Sequence, residues 1–383
     1  MNRFILLSML LFLISCRSPN RHAGAHMPHL EKRGSAVQLM VHEQPFIMLA
    51  GELHNSSASS ADYLEKVWQK LNSINLNTVI APVYWELFEP AEGQFDFTLI
   101  DSLINGARRH HLKLVLLWFG TWKNTESSYV PVWVKGDQER FFRVQNSDGT
   151  HREIISPFCR AACQADAHAF SQLMRHLEQR DNVEHTVLMV QIENEVGLLG
   201  EPRDVCPQAE SAFRQSVPDS IMALFTNHLN DLHPELRESW TSHGSKSTGS
   251  WAEVFDGDAA EFFMAWALAD YIDRIAAVGK SIYPLPMFVN AWLRSPGQVA
   301  GQYPSGGPID KVHDIWKLTA PHLDFFAPDI YLPNFKQICA DYTRNDNPLL
   351  IPEAHRNDHS IAPAMYALTQ HNAMGFSPFG IDG

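Results

Sequence analysis

Positive charge is scarce in this sequence: 30 lysines and arginines stand against 43 aspartates and glutamates, a formal net charge of −13. A protein that grips nucleic acid needs a basic stripe to displace counterions, so that class of function is disfavoured. Cysteine is sparse too, with five in 383 residues. Beyond Cys16 there remain Cys159, Cys163, Cys206 and Cys339, whose scattered spacing does not resemble a zinc site. They leave room for one disulfide, with its pairing open. Long apolar runs are also missing: Phe4 to Ile14 is too short for a comfortable membrane span.

That run follows Met1-Asn2-Arg3, a short positive start, and has the length of a signal-peptide core. It ends in Leu13-Ile14-Ser15-Cys16, which resembles a bacterial lipoprotein cleavage box with Cys16 as the lipidated residue. A plain secretory signal with a chance cysteine is the alternative. Either way the mature chain is expected to face an oxidising compartment, and the lipoprotein reading puts it in the cell envelope, periplasmic or on the outer membrane, anchored through Cys16. Residues 1–16 thus read as a lipoprotein signal peptide. Residues 17–34, rich in His, Pro, Arg and Gly, read as a flexible tether in which His22, His26 and His29 are solvated rather than metal-binding.

What is present is an ordinary globular composition, 45% hydrophobic and 19% charged, large enough for a sizeable core. Ten tryptophans suit either that core or stacking on sugar rings. Ala36 to Val41 and Pro45 to Ala50 read as short strands. Apolar strand runs then recur at Leu76 to Pro82, Leu112 to Trp118, Thr186 to Ile192, Met287 to Asn290, Asp324 to Ile330, Leu349 to Ile351 and Met374 to Phe379. Between the early ones lie helical patterns at Ser59 to Ile74, Phe97 to Arg109 and Asp166 to Arg180. The long segment from Leu198 to Pro284 reads as two helices, Ala209 to Leu232 and Ala259 to Val278, around a Ser/Gly-rich stretch. Buried strand runs alternating with amphipathic helices imply parallel pairing covered on both faces. The fold class expected over residues 35–383 is a (β/α)8 TIM barrel forming one catalytic domain, with the last helix and any C-terminal β domain absent from this chain.

Polar and aromatic residues cluster just after the strand runs: Glu52 and His54, Tyr84 and Glu86, Trp122 and Asn124, Asn194 and Glu195, Trp292, Tyr331, Glu353. That is the face where barrel active sites sit. Two carboxylates across a barrel mouth suit glycoside hydrolysis, one protonating the departing oxygen and the other attacking the anomeric carbon. Glu195 is the candidate acid/base, because Asn194 before it can hydrogen-bond a sugar 2-hydroxyl. Glu353 is the candidate nucleophile, with Tyr331 placed to orient it. The two must differ in pKa. His54, Tyr84, Trp122, Asn124 and Trp292 complete the expected carbohydrate-binding set. Glu193, on the alternate face of its strand, is expected in an ion pair or a supporting role.

Gln191-Ile192-Glu193-Asn194-Glu195-Val196-Gly197 resembles the acid/base motif of family 35 glycoside hydrolases, the retaining β-galactosidases of clan A. Trp85…Glu89-Pro90 with Gly93-Gln94-Phe95-Asp96-Phe97 is similar to that family's second-strand region, and Gly51-Glu52-Leu53-His54 to its first-strand end. The resemblance spans roughly Phe46 to Gly383. It implies double displacement with Glu195 as acid/base and Glu353 as nucleophile, and neither metal nor organic cofactor. Departures fall at the pocket positions. Trp85-Glu86 stands where Trp-Asn is commoner, Gly120-Thr121-Trp122-Lys123-Asn124 where Ala-Glu-Trp is, and Glu195-Val196-Gly197 where Glu-Tyr-Gly is. Trp122-Lys123-Asn124…Ser127-Ser128-Tyr129-Val130-Pro131 looks like a bacterial subgroup, some of whose members trim galactose from plant xyloglucan. The function expected is an exo-acting β-galactosidase. Another clan A β-glycosidase, such as a glucanase or mannosidase, and a non-catalytic sugar-binding lipoprotein are the alternatives.

Overall fold

The structure, a computed structural model, describes residues 27–344 and 347–383. The signal peptide, Cys16, His22 and His26 lie outside the described residues. Eight parallel strands form the centre: β1 Met48–Glu52, β2 Thr78–Tyr84, β3 Lys113–Lys123, β4 Val187–Asn194, β5 Met287–Trp292, β6 Phe325–Asp329, β7 Leu350–Ala354 and β8 Gly375–Pro378. Seven crossover helices connect them in turn: α1 Ala61–Leu71, α2 Thr98–Arg109, α3 Arg160–Asp181, α4 Ala259–Ile282, α5 His313–Thr319, α6 Phe335–Tyr342 and α7 Ile361–Gln370. The expected barrel is therefore present. β2 and β4 are buried along their whole length, as strands covered on both faces must be. α1 buries Leu64, Val67, Trp68 and Leu71, and α2 Ile100, Leu103, Ile104 and Ala107. Both are the three- and four-residue spacing of one helix face.

Hydrogen bonding runs β6-β5-β4-β3-β2-β1-β8-β7. The remaining seam, between β6 and β7, closes through one bridge, Ile330 to Ala354, where Ile330 N–H donates to the Glu353 carbonyl at 2.9 Å. β4 and β5 pair only through Met287–Val190 and Phe288–Gln191, then diverge towards the C-terminal mouth. These two loose places flank the acids discussed below.

Three expectations shift. His29–Arg33, read as tether, forms a strand paired antiparallel with Ala36–Val41. The helix expected over Ala209 to Leu232 is divided into Pro207–Phe213 and Asp219–Asn227, because Pro218 interrupts it and serves as the second helix's N-cap. The four described cysteines are buried free thiols, with no disulfide among them.

Candidate active site

The backbone is contorted at the exit of β4. Glu193 and Glu195 both have left-handed φ, 59° and 47°, a conformation costing non-glycine residues about 1–2 kcal/mol each. Neighbours hold it in place. The Glu193 carboxylate accepts from the backbone N–H groups of Thr121 (3.0 Å) and Trp122 (2.6 Å). Asn124 N–H donates to the Asn194 carbonyl at 3.0 Å. Glu195 N–H donates to Asn290 Oδ1 at 2.8 Å, so a side chain from β5 spans the gap where β4 and β5 no longer pair. Two residues on, Gly197 (φ 140°) lies so close to the next loop that a Cβ would sit 2.4 Å from that of Pro304.

The kinks turn Glu195 into a cavity of roughly 400 Å³ lined by Asn55, Lys123, Asn124, Trp292, Leu293, Tyr331, Leu332 and Phe379 together with Asp329 and Glu353. Oxygens of Glu195, Asp329 and Glu353 all lie within 4.8 Å of one another, and all three residues are buried. Glu353 is bracketed by two donors: Asn194 Nδ2 to its Oε1 at 3.2 Å and Tyr331 O–H to its Oε2 at 3.0 Å. Burial raises its pKa, and the Lys123 ammonium and these two donors offset part of that rise. Among the described residues Glu195 has no such pair of donors. Burial first, and the facing Glu353 charge second, push it up to about 8, against the lowering effect of the Lys123 charge and a hydrogen bond with Asp329. The two carboxyls thus divide into one biased towards the acid form and one whose ionised form is solvated by protein donors. Glu52, buried beneath them, is also raised by burial and by Glu353. A cluster of three carboxylates at this spacing has the dimensions of a cation site, but here Lys123 supplies a positive charge to Glu52, Glu195 and Glu353.

The structure brings Glu195, Glu353, Asn194, Tyr331, Asn124 and Trp292 together at this mouth. It removes three expected binding residues from the cavity lining. Trp122 is buried, its indole N–H donating to the Ile155 carbonyl at 3.0 Å, with Tyr271 against its ring. β3 runs on to Lys123; Trp122 lies on the helix side of that strand with Trp118, and Lys123, over the Phe119 ring, lines the opening. Tyr84 is buried, packed on Phe119 and Tyr129, and its hydroxyl accepts from Ala58 N–H. His54 is held outside the cavity by Asp382, which accepts from its backbone N–H at 3.0 Å and lies 3.1 Å from its Nδ1. Its ring packs edge-on against the lining residue Phe379.

Glu193 is supporting as expected, but its partner is an acid, not a cation: its carboxyl is hydrogen-bonded to that of Asp166. Asp166 accepts from Trp118 Nε1 (2.8 Å), Thr121 N–H (2.9 Å) and Thr121 O–H (2.7 Å). Gly120 leaves room for this pair, since a Cβ there would lie 2.7 Å from both carboxyls. Sequence reasoning passed over Asn55, Lys123, Asn290 and Asp329. The last two could have been found: each is a polar residue near the C-terminal end of an apolar strand run, the same signal that singled out Glu195.

Residues 38–245 match the family described as Glycosyl hydrolases family 35, a span that contains Glu195 and stops before Glu353. A β-galactosidase of Xanthomonas manihotis is 28% identical over 161 residues, which is 40% of this chain and 24% of that protein. The chain thus spans about a quarter of the length of that curated relative. Among solved structures, the catalytic domain of a β-amylase from Paenibacillus polymyxa superposes with a TM-score of 0.61 at 12% identity, covering 88% of this chain and 92% of that one. A β-galactosidase from Bacillus circulans sp. alkalophilus does so with 0.59 at 14% identity, covering 87% and 50%. At such identities these two speak for the barrel alone.

Proposed function

This chain belongs to family 35 of the glycosyl hydrolases, and from that premise we propose that it is a retaining exo-β-galactosidase that removes terminal galactose from oligo- or polysaccharides, xyloglucan-type chains included. The observation that carries this reading is the facing of Glu195 and Glu353, an oxygen of each lying within 4.8 Å of one of the other, a proximity that favours the roughly 5–5.5 Å pairing of retaining enzymes over the wider inverting one. In the first step a Glu353 oxygen bonds to the anomeric carbon as the glycosidic C–O bond breaks, and Glu195 gives its proton to the departing oxygen. In the second, water gives a proton to Glu195 and its oxygen bonds to the anomeric carbon, releasing Glu353. Asn194 Oδ1 is buried with no hydrogen-bond partner among the described residues, an acceptor suited to the sugar 2-hydroxyl. The half-exposed rings of Trp292 and Tyr331 offer apolar faces to the sugar ring.

Nitrophenyl β-galactoside assayed against the glucoside, mannoside and arabinoside tests the sugar, and proton NMR of the first product formed tests the stereochemistry. Preference for galactoside with the β-anomer appearing first is expected. Preference for another sugar would move the chain to a different β-glycosidase, and an α-anomer first would overturn retention. Unchanged turnover in Glu195→Gln and Glu353→Gln would overturn the catalytic pair. The envelope location rests on the Leu13-Ile14-Ser15-Cys16 box alone: Cys16→Ser is expected to release the protein from the membrane fraction, and retention there would sink the anchor.

A further inference from the structure

Asp329 ends β6 inside the acid cluster, and its two oxygens have different surroundings. Oδ2 accepts from Asn290 Nδ2 at 2.6 Å, the same Asn290 whose Oδ1 holds the Glu195 backbone. Oδ1 is buried with no hydrogen-bond partner among the described residues. An unpaired buried carboxylate oxygen is costly, and the surroundings of Asp329 are acidic: Glu353 and Glu195 each have an oxygen within 4.8 Å, and Glu52 acts on it as well. Tyr331 stands near with its hydroxyl committed to Glu353, and Tyr342 of α6 with its hydroxyl committed to the Pro308 carbonyl. The cation of the site, Lys123, acts on Glu52, Glu195 and Glu353. A proton on Asp329 resolves the arrangement, because its carboxyl then becomes a donor to Glu195, an oxygen of which lies within 4.8 Å of one of its own.

We infer that Asp329 stays protonated through the reaction and acts as a positioning residue, donating its O–H to Glu195 and so stabilising that carboxylate each time it forms. The inference rests on Glu195 being the acid/base. When Glu195 gives its proton to the leaving oxygen, the Asp329 O–H solvates the carboxylate left behind. When water returns a proton to Glu195, the bond persists, and Asp329 neither gains nor loses a proton. Burial and the facing carboxyls hold the Asp329 pKa far above the usual aspartate range.

The test compares Asp329→Asn with Asp329→Ala in the full chain, on nitrophenyl galactoside and on a galactoside with a poor leaving group. An asparagine amide can donate to Glu195 and accept from Asn290, mimicking the protonated acid. D329N is therefore expected to keep kcat/KM within a few fold, with the alkaline limb of its pH profile in place. D329A, lacking the donor, is expected to move that limb up by about one pH unit and to lose more on the poor leaving group. An ionised Asp329 would give the opposite sign, since removing a like charge would move the limb down in both variants; that result overturns the inference, as does equal loss in both with no movement. Should D329A fail to fold, the infrared difference spectrum of wild type minus D329N at neutral pH decides: a protonated-carboxyl band supports the inference and carboxylate bands alone overturn it. Glu195→Gln assayed alongside separates the two readings, because activity surviving there would remove the acid/base assignment itself.

Discussion

Asn194 and Glu353 are joined across the barrel mouth by a hydrogen bond of 3.2 Å from the amide nitrogen to Oε1. β4 and β7 do not pair with one another, so this bond and the Asn290 bridge fix one side of the opening relative to the other. The same amide thus has two tasks: its nitrogen stabilises the Glu353 carboxylate and its oxygen is left to meet a hydroxyl. Asn194→Ala removes both and is expected to lower kcat/KM for nitrophenyl galactoside by about 10- to 100-fold, the range of a hydrogen bond to a charged group. Asn194→Asp retains an acceptor but puts a carboxyl beside the nucleophile, and its acid limb is expected to lie above that of Asn194→Ala.

Tyr331 has a separable effect. Its hydroxyl donates to Glu353 Oε2 at 3.0 Å while its ring lines the cavity. Tyr331→Phe keeps the ring and removes the donor. The ionised form of Glu353 loses stabilisation, so its pKa rises. The acid limb of kcat/KM is expected to move to higher pH, with about a tenfold fall at the optimum. Sugar affinity measured in a Glu353→Gln background is expected to change little on adding Tyr331→Phe, and a large loss there would mean the hydroxyl binds sugar instead.

Lys123 influences both limbs. Its ammonium lowers Glu195, Glu353 and Glu52 together. Loss of that charge therefore raises Glu353 and Glu195, the proposed nucleophile and acid, alike. In the wild type the alkaline limb of kcat/KM is expected near the Glu195 value of about 8, because above it the acid has no proton to give. In Lys123→Met the whole bell is expected to shift to higher pH, and activity below neutrality to drop most. A narrowing of the bell in place of a shift would show that Lys123 acts on one acid only.

The barrel was legible because strands such as β2 and β4 are buried along their whole length and α1 and α2 each present one apolar stripe, so periodicity separates them. Glu195 and Glu353 were legible for the same reason, as charges at the ends of such runs. What was not legible depended on which neighbours meet across the fold. Trp122 packs on Tyr271 of α4 as Trp118 packs on Phe170 of α3, while Lys123 lies over the Phe119 ring at the mouth; counting alternate residues from Trp118 separates the two, but the aromatic type of Trp122 suggests a sugar platform. Asp382, more than 300 residues along the chain from His54, holds that imidazole outside the cavity. Local sequence at His54 carries no trace of it. Nor does a sequence show that Glu193 pairs with Asp166, because two acids in separate elements read as charges to be kept apart.

That buried acid pair yields a stability prediction with a definite sign. Burial raises both carboxyls, and Asp166 raises Glu193 further; because Asp166 already accepts from Trp118 and Thr121, the shared proton is expected on Glu193. A carboxyl whose folded pKa lies above its unfolded one contributes stability that is full below the unfolded value, about 4.3 for Glu, and that is lost as pH rises through the folded value. Wild-type stability is therefore expected to decline on the alkaline side. Glu193→Gln imitates the protonated acid, its amide donating to Asp166 and its oxygen accepting from the Trp122 N–H. It is expected to unfold within about 1 kcal/mol of wild type at neutral pH and to decline less towards alkaline pH. Asp166→Asn confronts the three donors from Trp118 and Thr121 with an amide that has one oxygen to offer, and is expected to cost about 3 kcal/mol. Urea unfolding of the three proteins across pH measures both effects. Equal slopes in wild type and Glu193→Gln would mean that the pair does not hold its proton in the folded state.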